Sequence, residues 1–300
     1  MTIGFIGLGG MGAGLVRNLA TKGQAVRCFD LDPARIDRMA GFGAVPAASA
    51  REAAEGASVL ALCVTTAEAV EAILFGPDGV ADLLPAGAIV LDHTTVNPGH
   101  VDRMNRLCAG RGLRYAEAPM TRTPIHAEQG KVNVLFGGEA ALLDELRPVF
   151  ACYAENVFHV GPSGHAIRLK LIHNYIAFAN VAAFCEGFAL AAREGLDMTK
   201  VIDIISAAGG KSGMMDLYGE KTLRRDFAPY MSLANAQKDV KYYARWLEEA
   251  GLPGFMAESV HQTYALAAAL GHADEGCTAV IKAYEHLSGV EARLPDGNGS

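Results

Sequence analysis

The 300-residue chain has no excess of positive charge: 26 Lys and Arg against 33 Asp and Glu leave a net charge of −7. A surface of that sign is not drawn to phosphate backbones or anionic lipid, which excludes a nucleic-acid or membrane-surface role. Near Met1 there is no run of about eighteen uncharged apolar residues of the kind a leader or membrane anchor needs. Neither is expected, and a cytoplasmic location follows. The six cysteines, Cys28, Cys63, Cys108, Cys152, Cys185 and Cys277, show no CxxC or zinc-like spacing. They are expected to be small buried hydrophobes in a reducing compartment. His93, His126 and His165 show no ligand spacing with acids or cysteines, so no metal is expected. With 51% hydrophobic residues the chain can bury a substantial core, and its length suits two domains.

What is present begins at residue 2. The apolar run Ile3 to Ile6 breaks into Gly7-Leu8-Gly9-Gly10-Met11-Gly12, a helix-compatible stretch follows, and a second apolar run ends in Asp30. Gly7 permits a tight strand-to-helix turn, Gly9 lets backbone approach a pyrophosphate, and Gly12 allows close helix–strand packing while the helix N-terminus faces the negative charge. GxGxxG alone is weak evidence; with the preceding strand and an acid 18 residues after Gly12 it points to a dinucleotide. A glycine-rich turn without a ligand would leave Asp30 unexplained. That carboxylate suits the adenosine ribose hydroxyls and repels a 2′-phosphate, so NAD is the expected cofactor. Arg27 shares a strand face with Phe29 rather than Asp30. Arg35 could meet a phosphate or be a solvated helix residue.

Through residue 160 short β-rich runs (2–6, 25–29, 58–64, 87–91, 113–116, 132–136 and 157–160) alternate with helical segments. This predicts βαβ units in a mainly parallel, doubly wound α/β sheet of Rossmann type. After Gly161-Pro162-Ser163-Gly164 only helical patterns remain, broken at Gly195, Gly209-Gly210, Pro229, Gly251 to Gly254 and Gly271. The expected division is a nucleotide domain over 1–161, an all-helical domain over 162–292 and a disordered tail over 293–300.

The first helical stretch, about Ser163 to Arg193, would span roughly 45 Å. Between Ala166 and Ala192 only Arg168, Lys170 and Glu186 are charged, so the helix should be buried between domains or subunits, and a homodimer or homotetramer is expected. Desolvation there would bring a lysine toward the range useful for acid–base chemistry. Asn174 lies one turn on, on the same face, where both side chains could reach one carbonyl or hydroxyl oxygen. The pattern equally accommodates a lysine reaching solvent and an asparagine capping nearby backbone.

Gly161-Pro162-Ser163-Gly164 through Lys170 to Asn174 resembles the catalytic segment of the β-hydroxyacid dehydrogenases, the family of 3-hydroxyisobutyrate dehydrogenase and tartronate semialdehyde reductase. The resemblance extends to the glycine motif, Asp92-His93-Thr94-Thr95, Glu117-Ala118-Pro119 and Lys238-Asp239, and covers residues 1–290. It implies that Lys170 is the general acid/base, that Asn174 holds substrate, and that Thr95 and Lys238 contact the nicotinamide end of the cofactor. Val64 and Thr65 would lie along the adenosine ribose through backbone groups, and Asp239 would position Lys238. His173, on a different helix face from Asn174, is expected to be a satisfied buried histidine.

The family's substrate loop usually reads Ala-Pro-Val-Ser-Gly-Gly, its serine and glycine amides binding a carboxylate. Here it is Ala118-Pro119-Met120-Thr121-Arg122-Thr123-Pro124, which adds a cationic fork and a hydroxyl. The loop and the Lys170 helix are similar to the 3-sulfolactaldehyde reductase branch, where this arginine faces the sulfonate. Thr121, Arg122 and Thr123 are thus expected to grip a small anionic substrate; alternatively Arg122 pairs with Glu117 or Glu128. Three other readings stay open: a carboxylate-specific 3-hydroxyisobutyrate dehydrogenase or tartronate or succinic semialdehyde reductase, a non-catalytic NAD-binding regulator, and an imine reductase. Lys170 and Asn174 speak against the last two.

Overall fold

In a computed structural model describing residues 1–295, nine strands form one sheet: β1 (Thr2–Ile6), β2 (Ala25–Phe29), β3 (Val45–Pro46), β4 (Val59–Leu62), β5 (Ile89–Asp92), β6 (Arg114–Glu117), β7 (Met120–Thr121), β8 (Val132–Gly137) and β9 (Ala154–Gly161). Their order is β3-β2-β1-β4-β5-β6-β8-β7, with β9 on β8. Neighbours from β3 to β6 are parallel, β8 runs antiparallel to β6 and β7, and β9 is parallel to β8. All seven expected strands form. The two-residue strands β3 and β7 were not anticipated.

The central strands β1, β4 and β5 are apolar and buried at nearly every position, which requires cover on both faces, and the period of two sorts their side chains. Ile3, Phe5, Val59, Ala61, Ile89 and Leu91 enter one hydrophobic cluster, whereas Ile6, Leu60, Leu62 and Val90 enter another. The chain leaves β1 toward β2 and later returns to β4 on its other side. The carboxyl ends of β1 and β4 therefore flank a topological switch point, the place where open α/β sheets take their ligands. The helices around it start on side-chain caps: Asp32 accepts from Ala34 N, Thr66 from Ala69 N and Asn97 from His100 N.

Contacts divide the chain into units Met1–Lys170 and Leu171–Ser300, so the boundary falls inside the long helix His165–Arg193, nine residues beyond the expected one. The second unit holds helices Met198–Ala207, Gly213–Leu223, Leu233–Glu249, Phe255–Ala267 and Ile281–Ser288, with no strand among the described residues. Its core includes Phe178, Val181, Cys185 and Phe188 from the long helix packed with Val240, Tyr264 and Ile281. By length and hydropathy that helix could cross a membrane, yet this face of it is a protein core face. The expected tail starts too early. Ala292 is buried and Leu294 donates its N–H to Leu223 O at 2.9 Å, so 293–295 are held to the helical unit. Residues 296–300 lie outside the described residues.

Candidate active site

The glycine turn follows β1. Gly7 has φ +101°, and a Cβ on it would stand 2.3 Å from Cys63 O. Only glycine serves there. A Cβ on Gly12 would meet Gly7 O at 2.0 Å, so the helix Gly12–Thr21 can begin this close to the strand end only without a side chain. Gly9, in contrast, has nothing within 4 Å of its Cβ direction. The open position lies between two closed ones, which is the cradle a pyrophosphate needs at a helix N-terminus. Gly10 faces Pro124, and Met11 packs on the first core cluster. Asp30 is fastened to the turn: its Oδ2 accepts from Leu8 N at 2.6 Å and its Oδ1 from Asp32 N at 2.9 Å. Arg27 points elsewhere, donating to Glu52 O and Glu55 O. Arg35 does approach, its Nη1 3.6 Å from Asp30 and its Nε 3.2 Å from Asp32 Oδ2, so two acids already neutralise it. These residues fit a dinucleotide.

The loops after β4 and β5 are tied together. Buried Asp92 accepts from Thr94 N at 2.8 Å and from Tyr115 Oη at 2.7 Å, and Thr94 Oγ1 accepts from Val64 N at 3.2 Å. The Val64 amide is thereby taken by Thr94. Thr65 is exposed and Thr95 half-buried on the framework these bonds hold. Under it, His93 places Nδ1 2.7 Å from Ala118 O and Nε2 3.1 Å from Tyr153 Oη, and burial pushes its pKa down to about 4. A neutral imidazole donating from Nδ1 and accepting at Nε2 satisfies both partners.

Arg122, in the loop that follows β7, adopts φ +79°. Its Nη1 donates to Lys131 O at 2.7 Å and its Nη2 pairs with Glu155. Neither Glu117 nor Glu128 is its partner. Thr121, on β7, pairs with Asn133 of β8, and Thr123 Oγ1 lies 2.8 Å from His126 Nδ1 at the start of helix Pro124–Glu128. That short helix is clamped to the dinucleotide helix by Asn18, whose Nδ2 donates to Gly14 O, Ala127 O and Glu128 O. Glu117 has a different task. Its buried carboxylate accepts from Gly164 N at 2.5 Å and from Ala166 N and Ile167 N at 3.1 Å, and burial raises its pKa to about 7 against those bonds.

Lys170 is 7% exposed and Asn174, one turn further along the same helix, 3%. Asn174 Nδ2 donates to Asp239 Oδ2 at 2.6 Å, and the other oxygen of this buried aspartate lies 3.1 Å from Lys238 Nζ. Asp239 thus orients both a lysine and an amide. A charge-assisted bond of this kind contributes on the order of 1.5–3 kcal/mol. Lys238 also sits over the Tyr242 ring, 5.4 Å from its centroid. His173 is exposed rather than buried, its Nδ1 3.0 Å from Asn174 Oδ1, because its position on the helix turns it outward. The roles of Glu117, Asn18 and the Asp239–Asn174 bond were missed from sequence. An acid set among the apolar residues of β6 was the one available signal.

A glycine cradle at the switch point of a 3-2-1-4-5-6 sheet, an acid after β2 and a following all-helical unit define a nicotinamide-dependent oxidoreductase of Rossmann type. Residues 2–161 match the NAD-binding domain of 6-phosphogluconate dehydrogenase, and residues 164–284 match the NAD-binding family model of NADP-dependent 3-hydroxyisobutyrate dehydrogenase. The chain belongs to the β-hydroxyacid dehydrogenase family, of which 3-hydroxyisobutyrate dehydrogenase is a member. It is 31% identical to L-threonate dehydrogenase of Cupriavidus necator, covering 94% of this chain and 95% of that one. It is 27% identical to 3-sulfolactaldehyde reductase of Escherichia coli, covering 97% and 98%. The crystal structure of 3-hydroxyisobutyrate dehydrogenase from Salmonella typhimurium superposes with a TM-score of 0.87 at 29% identity, covering 94% of this chain and 99% of that one.

Proposed function

We propose that this enzyme interconverts a small acidic 3-hydroxyacid and its semialdehyde with NAD as the preferred cofactor. The observation that carries the reading is a buried lysine with an asparagine one turn on, the latter oriented by a buried aspartate. The nicotinamide ring supplies or accepts the hydride when bound. Gly7 to Gly12 would hold the pyrophosphate and Asp30 the adenosine ribose, whose hydroxyls a carboxylate accepts from and whose 2′-phosphate it repels. Thr95 and Lys238 would serve the nicotinamide end. In the reducing direction negative charge builds on the carbonyl oxygen; Lys170 donates the proton there, and in the oxidising direction it removes the hydroxyl proton. Asn174 holds the same oxygen, its amide orientation fixed by Asp239.

Thr121, Arg122 and Thr123 would recognise the acidic group. The Arg122 fork is already shared between Glu155 and Lys131 O, so any substrate anion it grips, carboxylate or sulfonate, must first displace Glu155. The carboxylate reading has the support of the 31% identical L-threonate dehydrogenase. The sulfonate reading keeps the support of the 27% identical 3-sulfolactaldehyde reductase. Replacing Lys170 with alanine tests the acid–base role. Turnover is expected to fall about 10²–10⁴-fold with NADH affinity retained, and near-normal turnover would refute it.

A further inference from the structure

The first-turn amides of the Lys170 helix meet a side chain from far away in the sequence. That turn is held by Glu117, some 50 residues earlier, at the end of β6. Among the three amides the carboxylate takes, Ala166 and Ile167 stand four and three residues before Lys170, on the helix face that Lys170 continues. The grip is tight on its other side as well. Gly137 of β8 lies opposite Glu117 in the sheet register, and a Cβ there would come within 2.0 Å of Glu117 Oε1. The carboxylate therefore has one place to be. Ser163, just ahead of the turn, is tied down separately by Asn105 Nδ2 at 2.8 Å.

We infer that Glu117 is a positioning residue for Lys170: through the first-turn amides it fixes the azimuth and depth of the helix that carries the lysine. The inference rests on the proposed acid–base role of Lys170. The cost of the arrangement is a buried carboxyl that could otherwise be replaced by an apolar side chain, and its return is placement. Three backbone N–H groups at a helix start would find partners in water or a local serine; only a group anchored in the sheet ties their position to the sheet. A shift of about 1 Å in a proton donor can cost on the order of a hundredfold in rate. Glu117 touches none of the glycine turn or Asp30, so the dinucleotide should not sense its loss.

Two variants disturb the grip from opposite sides. Glu117→Gln keeps one acceptor oxygen but turns an amide N–H₂ toward a backbone donor, and Gly137→Ala pushes the carboxylate off from β8 without altering it. Each is expected to lower kcat by roughly ten- to a hundredfold while leaving the NADH dissociation constant within about twofold of wild type. Glu117→Asp, which keeps the charge but falls short of the amides, should recover less activity than Glu117→Gln. The deciding measurement is a double-mutant cycle with Lys170→Ala. If Glu117 acts through the lysine, Glu117→Gln costs nothing further once Lys170 is gone. A full additional loss in the Lys170→Ala background, an equal loss of NADH affinity, or unchanged kcat in Gly137→Ala with Glu117 displaced would overturn the inference. Should Lys170→Ala itself retain turnover, the acid–base reading fails first, and that outcome is read from the single variant alone.

Discussion

Replacing His93 with glutamine should make the protein more resistant to acid. The imidazole is buried between Ala118 O and Tyr153 Oη with Phe5 stacked beside it, and burial lowers its pKa from the ordinary 6.5 to about 4. Above about pH 7.5 neither the folded nor the unfolded chain protonates it, and its stabilising bonds are intact. As pH falls through 6.5 the unfolded chain takes up the proton and the folded chain does not, so stability drops until the folded imidazole itself titrates near 4. A 2.5-unit difference corresponds to about 3 kcal/mol in full and about 2 kcal/mol by pH 5. Glu117 works in the opposite sense. Its carboxyl, raised to about 7, contributes stability that is present below 4.5 and lost as pH rises toward 7. The wild-type curve alone therefore conceals His93, whereas the difference from His93→Gln isolates it. Glutamine can donate to Ala118 O and accept from Tyr153 without titrating. Urea unfolding of both proteins at several pH values measures the gap between them. It should move by about 2 kcal/mol in favour of His93→Gln between about pH 7.5 and 5; a gap that stays constant would refute the reasoning.

Arg122→Gly should leave folding stability within about 1 kcal/mol, because the ion pair it removes is partly exposed and glycine suits φ +79°. Steady-state kinetics would then show a Michaelis constant raised roughly tenfold for an acidic aldehyde and little changed for a neutral aldehyde, if Arg122 meets substrate. Equal effects on both would make the Glu155 pair its whole role. The long helix leaves Leu169, Ile176 and Leu190 between 41% and 60% exposed at spacings of seven and fourteen residues. A homodimer or homotetramer covering that row is expected, and sedimentation showing a monomer at micromolar concentration would count against it.

The nucleotide unit was legible because its strands are long enough to show a period and its glycine motif has a fixed geometry. β3 and β7, two residues each, carry no period to read. Composition changes at Gly161, but packing follows the helix, whose first turn belongs to the sheet through Glu117. Arg122 shows the limit from the other side. Its partner Glu155 is 33 residues away on β9 and becomes a neighbour only because β9 lies beside β8, which pairs with β7. Asp239 was read as a partner for Lys238, which the 3.1 Å approach bears out; its bond to Asn174 spans 65 residues and required the fold. His173 is exposed against expectation because an apolar helix need not be buried all round.

The proposed reaction is hydride transfer between a nicotinamide and a small acidic hydroxyacid. Its most direct test is the initial rate of the purified protein over a panel containing 3-hydroxyisobutyrate, threonate, tartronate semialdehyde, 3-sulfolactaldehyde and a neutral aldehyde of similar size, each with both nicotinamide cofactors. Turnover of at least one acidic substrate, with kcat/KM higher for NAD(H) than for NADP(H) and lowest for the neutral aldehyde, is the predicted result. NADH binding without turnover of any acidic member would contradict the account and leave the fold as a nucleotide-binding scaffold.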